Sequence, residues 1–260
     1  MPELNNDNWF EATASPENIN EIIALIKEEG FFCLEGAVKK PFLEELKNSV
    51  NGLIDIYGKR YFSLIRPHQG KEKLNLPFEA IFKSRDFNTL LNKLSDAMSI
   101  TKIDNSEGFN ILRVVTGDKT DDQSLKFHYD STLITALIPI FIPEGLESES
   151  GHLIAFPNSR KVRSSAILNV LEKFFIQNSL CQRILPYFLL NNKKRKVLKL
   201  EPGNIYLFSG LQTLHCNFAV NEEYIRATLL CFHGNPYPDS KLLNWVRQTR
   251  HNKEDKNIGL

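Results

Sequence analysis

The sequence predicts a mainly β fold with helical support, its β part a sandwich or barrel of the double-sheet, jelly-roll kind. Three observations carry this. From about Gly108 the chain falls into short apolar runs separated by turn residues, at 108–116, 126–130, 132–142, 152–156, 196–201, 204–208, 212–219 and 225–232. Before that point, apolar residues recur at helical spacing instead. And 260 residues, 42% of them hydrophobic, supply core for one large domain or two small ones.

Taken in order, Ser15-Pro16 offers a cap and a first-turn proline to a helix whose stripe is Ile19, Ile22, Ile23 and Ile26. Gly30 stops it, and Phe31 to Val38 reads as a strand. Pro41 opens a second helix with the stripe Leu43, Leu46, Val50, Leu53, Ile54 and Tyr57, and a third covers about Ala80 to Met98. Within the β half, residues 164–190 carry Val170, Leu171, Phe174 and Phe175 at helical spacing, so a helical insert separates two strands. Lys193-Lys194-Arg195-Lys196 reads as a solvated turn. With no linker between the halves, the expectation is one domain over 1–260. It has a helix-rich buttress to about 105, a β core over about 106–235 and a tail over 236–260.

Charge narrows the partners. With 32 Lys+Arg against 31 Asp+Glu, the net charge of +1 gives no global field for nucleic acid or an anionic membrane, so neither is expected. No apolar run is long enough to span a bilayer. The start, MPELNNDNWFEA, is unlike a signal or transit peptide. Four cysteines without CxxC spacing suit a reducing compartment, so a cytoplasmic protein is expected.

Chemistry rests on few residues. His128-Tyr129-Asp130 lies on a predicted strand, where alternation turns His128 and Asp130 to one face. With a second histidine from another strand they make a two-histidine, one-carboxylate facial triad suited to non-haem Fe(II). His215 is the candidate. If the chain turns near Val220 to Glu222, His215 and Arg226 become opposite or diagonal neighbours in a hairpin. A guanidinium on an apolar strand is costly to bury unless an anion meets it. A carboxylate ligand beside the metal would be that anion, and Thr228 shares the face.

The ordered set His128-x-Asp130, His215, Arg226-x-Thr228 resembles the pattern of Fe(II)/2-oxoglutarate-dependent dioxygenases. Gly151-His152-Leu153 followed by Pro157-Asn158-Ser159, and the segment GFFCLEGAV near the N-terminus, are similar to the phytanoyl-CoA dioxygenase-like branch. The resemblance implies a double-stranded β-helix (jelly-roll, cupin-like) core, with iron held by His128, Asp130 and His215 and 2-oxoglutarate gripped by Arg226. It also implies an O2-dependent hydroxylase releasing succinate and CO2. Departures are Arg160, where the branch usually has His, and Asn217, where Ser is common. Asp130 in the carboxylate position argues against the related halogenases.

Other positions stay open. Thr135 and Asn217 either hydrogen-bond the oxoacid or pack. Arg113, interrupting NILRVV, and Arg160 either meet a substrate or co-substrate carboxylate or form structural ion pairs. His68 belongs to a polar loop more readily than to a site; His152, His233, His251 and the cysteines are not expected ligands. The insert 164–190 and the segment 60–78 are placed to cover a barrel mouth. The reading is therefore an oxygenase acting on a small polar or carboxylate-bearing molecule such as an amino acid. A protein side chain as substrate, a jelly-roll binding protein with an inert metal, and a metal-dependent hydrolase or isomerase are the alternatives. For the last, no general base can be named.

Overall fold

In a computed structural model, which describes residues 9–10, 16–65, 77–99, 103–105, 108–117, 124–162 and 166–240, two antiparallel sheets face each other. The strands are β1 (Phe31–Leu34), β2 (Phe62–Ile65), β3 (Phe109–Val115), β4 (Ile134–Phe141), β5 (Leu153–Phe156), β6 (Lys196–Leu198), β7 (Ile205–Phe208), β8 (Leu214–Asn217) and β9 (Arg226–His233). The larger sheet has the order β1-β7-β4-β9-β3-β2 and the smaller β6-β5-β8. The helices are α1 (Pro16–Glu29), α2 (Lys40–Tyr57), α3 (Phe78–Lys83), α4 (Arg85–Met98), α5 (Ala166–Gln177) and α6 (Ser179–Leu189).

Strand alternation sorts the core into layers. On β9, Ala227, Leu229 and Cys231 face the helices and join Ile26, Leu46, Val50, Leu53, Leu90 and Leu94 in the largest cluster. The alternate residues Leu230 and Phe232 face the smaller sheet and meet Leu153, Ala155, Tyr206 and Phe208 between the sheets. The outer face of the smaller sheet (Ile154, Phe156, Leu214, Cys216) is covered from the other side by Ile176, Leu185 and Leu189 of α5 and α6. Strand β9 is buried along its whole length because both its faces are covered.

The jelly-roll expectation holds, with local differences. Strand β2 was not expected: FSLI is too short to show a period and pairs only through β3, with Ser63 opposite Arg113. The strand expected at 126–130 is a single bridge at His128. The helix expected over 80–98 is two, broken where the Ser84 hydroxyl accepts from Phe87 N. The insert likewise divides at Asn178, whose side chain caps α6 by accepting from Cys181 N. The expected hairpin between His215 and Arg226 does not form. After Asn217 the chain stays beside β5, with Gly151 N donating to Ala219 O and Ser150 bridging Val220, then crosses to the larger sheet as β9. In a two-sheet roll, consecutive strands can lie in different sheets, and here the crossing places His215 and Arg226 on opposite walls. No helix among the described residues is long and apolar enough to cross a membrane. His68, His251 and residues 66–76 of the expected mouth-covering segment lie outside the described residues.

Candidate metal centre and its cavity

His128 and His215 are directly opposed in an antiparallel bridge, each backbone N–H donating to the other's carbonyl at 2.9 and 3.0 Å. Their rings lie 4.4 Å apart. Asp130 follows two residues on, its backbone N–H held by Gly210 O at 2.9 Å. Its Oδ1 is 3.9 Å from His128 Nε2 and 3.7 Å from His215 Nε2, and the ligand atoms of the three residues all lie within 4.8 Å of one another. Among the described residues this is the one cluster of that kind.

The second atoms of each group are already engaged. His128 Nδ1 lies 2.8 Å from Lys126 O, and His215 Nδ1 lies 2.9 Å from Thr213 O. A carbonyl accepts only, so each Nδ1 carries the proton and each Nε2 presents a lone pair to the shared space. Thr135 Oγ1 donates to Asp130 Oδ2 at 2.6 Å, which leaves Oδ1 for the histidines' side. Burial, followed by the neighbouring His215, lowers the His128 pKa well below its ordinary value, so His128 is neutral as a metal ligand must be. Two imidazoles and one carboxylate, with open positions opposite, fit Fe(II).

From the facing sheet, Arg226 reaches the same cavity. It is only 3% exposed, yet among the described residues no carboxylate pairs with it. Nε donates to Gly151 O at 2.7 Å, Nη2 to Asn217 Oδ1 at 2.9 Å, and Nη1 lies 3.5 Å from Thr228 Oγ1. Burial, then the neighbouring Arg113, brings its pKa down to about 9. Arg113 stands directly opposite Thr228 in the sheet and lines the cavity too. The cavity is narrow and walled by Leu137, Leu153, Phe208, Leu230 and Phe232. Its apolar walls thus frame three potential metal-ligating groups at one place and two guanidinium groups at another.

The sequence matches no protein-family model and no curated protein. Among solved structures, the chain is similar to a prolyl 4-hydroxylase from Phytophthora capsici (12% identity over 89% of this chain and 69% of that one, TM-score 0.56). It is similar to SnoK, a non-heme α-ketoglutarate-dependent carbocyclase of nogalamycin biosynthesis (12% identity, 86% and 88% covered, TM-score 0.54). It is also similar to the epimerase SnoN, solved with Fe3+, α-ketoglutarate and nogalamycin RO (12% identity, 84% and 83% covered, TM-score 0.52). The chain has the fold of the iron/2-oxoglutarate oxygenases.

Within this oxygenase fold the expected residues divide. His128, Asp130, His215, Arg226, Thr228, Asn217 and Arg113 all line the cavity. Thr135 supports it from behind: its one proton goes to Asp130, so it orients the carboxylate and cannot also donate to an oxoacid. Arg160 lies outside. It is stacked 3.9 Å over the Tyr129 ring, donates to Leu211 O at 2.5 Å and pairs with Glu172 at 3.3 Å, which is the structural alternative left open above. His152 accepts from Leu200 N, and His233 meets Asn92 beneath α4 on the helical side of the larger sheet.

Two glycines matter that composition did not mark. A Cβ at Gly210 would stand 2.3 Å from both Asp130 Oδ2 and Thr135 Oγ1. A Cβ at Gly151, where φ is +65°, would stand 2.2 Å from Arg226 Cδ. Ser159 is a third. It accepts from Leu214 N at 3.0 Å and meets the Tyr129 hydroxyl at 3.1 Å, tying the segment between the ligands to the start of β8. The Pro157-Asn158-Ser159 turn was its available signal.

Proposed function

We propose that the protein is an Fe(II)/2-oxoglutarate-dependent oxygenase that hydroxylates an aliphatic C–H of a small carboxylate-bearing molecule. The observation that carries this is the pairing, in one cavity, of the His128–Asp130–His215 ligand set with a buried Arg226 that no described carboxylate neutralises. The donor set suits iron, and the guanidinium suits the far carboxylate of a ketodiacid.

His128, Asp130 and His215 would hold the metal through Nε2, Oδ1 and Nε2, acting as ligands and not as acids or bases. The chemistry that bound iron would supply there is activation of O2, with one oxygen atom used in converting 2-oxoglutarate to succinate and CO2 and the other available to substrate. Arg226 fixes the co-substrate's distal carboxylate, aided by Thr228, while Asn217 holds the guanidinium at Nη2. Leu137, Leu153, Phe208, Leu230 and Phe232 would limit water on their side of the metal position. Arg113, a second cation without a described acid partner, supports a substrate bearing its own carboxylate.

The direct test is succinate formation by the Fe(II)-loaded protein over a panel of amino acids and small carboxylates, with Asp130→Ala and Arg226→Met as controls. Anaerobic addition of Fe(II) and 2-oxoglutarate should give a weak visible charge-transfer band that both variants lose. Full turnover by Asp130→Ala would overturn the reading. Because SnoK is a carbocyclase and SnoN an epimerase on the same fold, product mass decides the outcome. A gain of one oxygen marks hydroxylation; loss of two hydrogens or unchanged mass marks the other outcomes.

A further inference from the structure

The insert formed by α5 and α6 is apolar on both sides. Its inner side, Ile176, Leu185 and Leu189, packs on the smaller sheet, and Gln182 Nε2 anchors it by donating to Phe127 O at 2.7 Å. Its outer side presents Leu168, Leu171, Phe174 and Phe175 on α5 and Leu180, Ile184, Tyr187 and Phe188 on α6, each 45–79% exposed. These eight are most of the eleven exposed large hydrophobic residues among those described, so the exposure belongs to this insert and not to the surface at large. With large side chains of roughly 150–250 Å² each, the face amounts to something on the order of 900 Å², beyond the few hundred Å² usual for a monomer. A helix pair with apolar residues on two opposite sides calls for a second covering.

Charge says what kind. Residues 160–199 contain ten lysines and arginines and a single acid, Glu172, although the whole chain is only +1. The remainder is therefore acidic, with 22 bases against 30 acids. Lys161, Arg183, Lys193 and Lys194 of this segment are exposed. Such a field opposes a second copy of the same face and favours an anionic layer with an apolar interior.

We propose that the α5–α6 face seats the protein on an anionic lipid surface, its aromatic and aliphatic side chains entering the headgroup boundary and its lysines and arginines meeting lipid phosphates and carboxylates. The near-zero net charge, which gives no reason to expect a membrane, conceals this local excess. The proposal is independent of the oxygenase reading.

The test is flotation of the full chain with vesicles of phosphatidylcholine alone, or of three parts phosphatidylcholine to one part phosphatidylserine. The mixed vesicles should retain at least ten-fold more protein, and retention should fall as salt rises. Phe174→Ser with Tyr187→Ser and Phe188→Ser should abolish retention. Lys193→Glu with Lys194→Glu, confined to a turn, should reduce it at least ten-fold, each base being worth about five-fold near such a surface. Circular dichroism and metal binding should be unchanged in both variants. Equal or absent retention on the two vesicle types overturns the proposal. So does a concentration-dependent dimer, or binding to a single-stranded oligonucleotide, that the aromatic variant removes.

Discussion

Thr135 Oγ1 donates a 2.6 Å hydrogen bond to Asp130 Oδ2, so the carboxylate is held with its other oxygen toward both histidines. Thr135→Val keeps the shape and deletes the proton donor. Metal affinity should fall about ten- to a hundred-fold, the usual effect of losing an outer partner of a ligand. Titration with Fe(II) under argon measures it, and an unchanged affinity would remove Thr135 from the centre.

The two glycines separate the halves of the cavity. Gly210→Ala pushes a methyl into Asp130 and Thr135 and should cost metal binding. Gly151→Ala pushes one into Arg226 and should weaken 2-oxoglutarate at least ten-fold while metal affinity stays within two-fold. Parallel titrations of metal and of 2-oxoglutarate check both; the opposite assignment of losses would be inconsistent with this geometry.

Arg226→Lys retains the charge but not the fork that holds Gly151 O and Asn217 Oδ1 together. The KM for 2-oxoglutarate should rise about a hundred-fold, equivalent to roughly 3 kcal/mol. Arg113→Met should leave that KM unchanged and raise the KM for an anionic substrate. If it raises the co-substrate KM instead, both guanidinium groups serve 2-oxoglutarate.

His233 gives a pH dependence away from the metal. It is 7% exposed, and burial lowers its pKa from 6.5 to about 4, opposed by Asp96. Between those values the unfolded chain binds the proton and the folded one does not. Stability is therefore complete above pH 6.5 and declines as pH falls toward 4, by about 3 kcal/mol in all. His233→Asn should flatten that part of a denaturant-midpoint profile measured across pH 4–7.

The ligand set was legible because its chemistry is written in side chains: histidine and aspartate two apart, a distant histidine, and an arginine on an apolar strand. Strand pairing was less so. Nothing near His215 announces that its strand pairs with β5, far back in the chain, and not with the strand that follows; partner choice depends on where Ser150 and Val220 meet. Strand β2 escaped for want of length, and the breaks at Ser84 and Asn178 are caps lying within unbroken helical periodicity. Thr135 and Arg160 could be placed on segments but not assigned partners, since Asp130 and Glu172 reach them only through the folded turns.

The His128–His215 bridge means that the metal centre is itself one of the strand pairings. A slip of one residue there would turn Tyr129 into the cavity and both His128 and Asp130 out of it. Correct alignment of the roll and assembly of the His-Asp-His cluster are thus one and the same condition. A copy misaligned at this bridge would have the roll's strands but no His128–Asp130–His215 cluster.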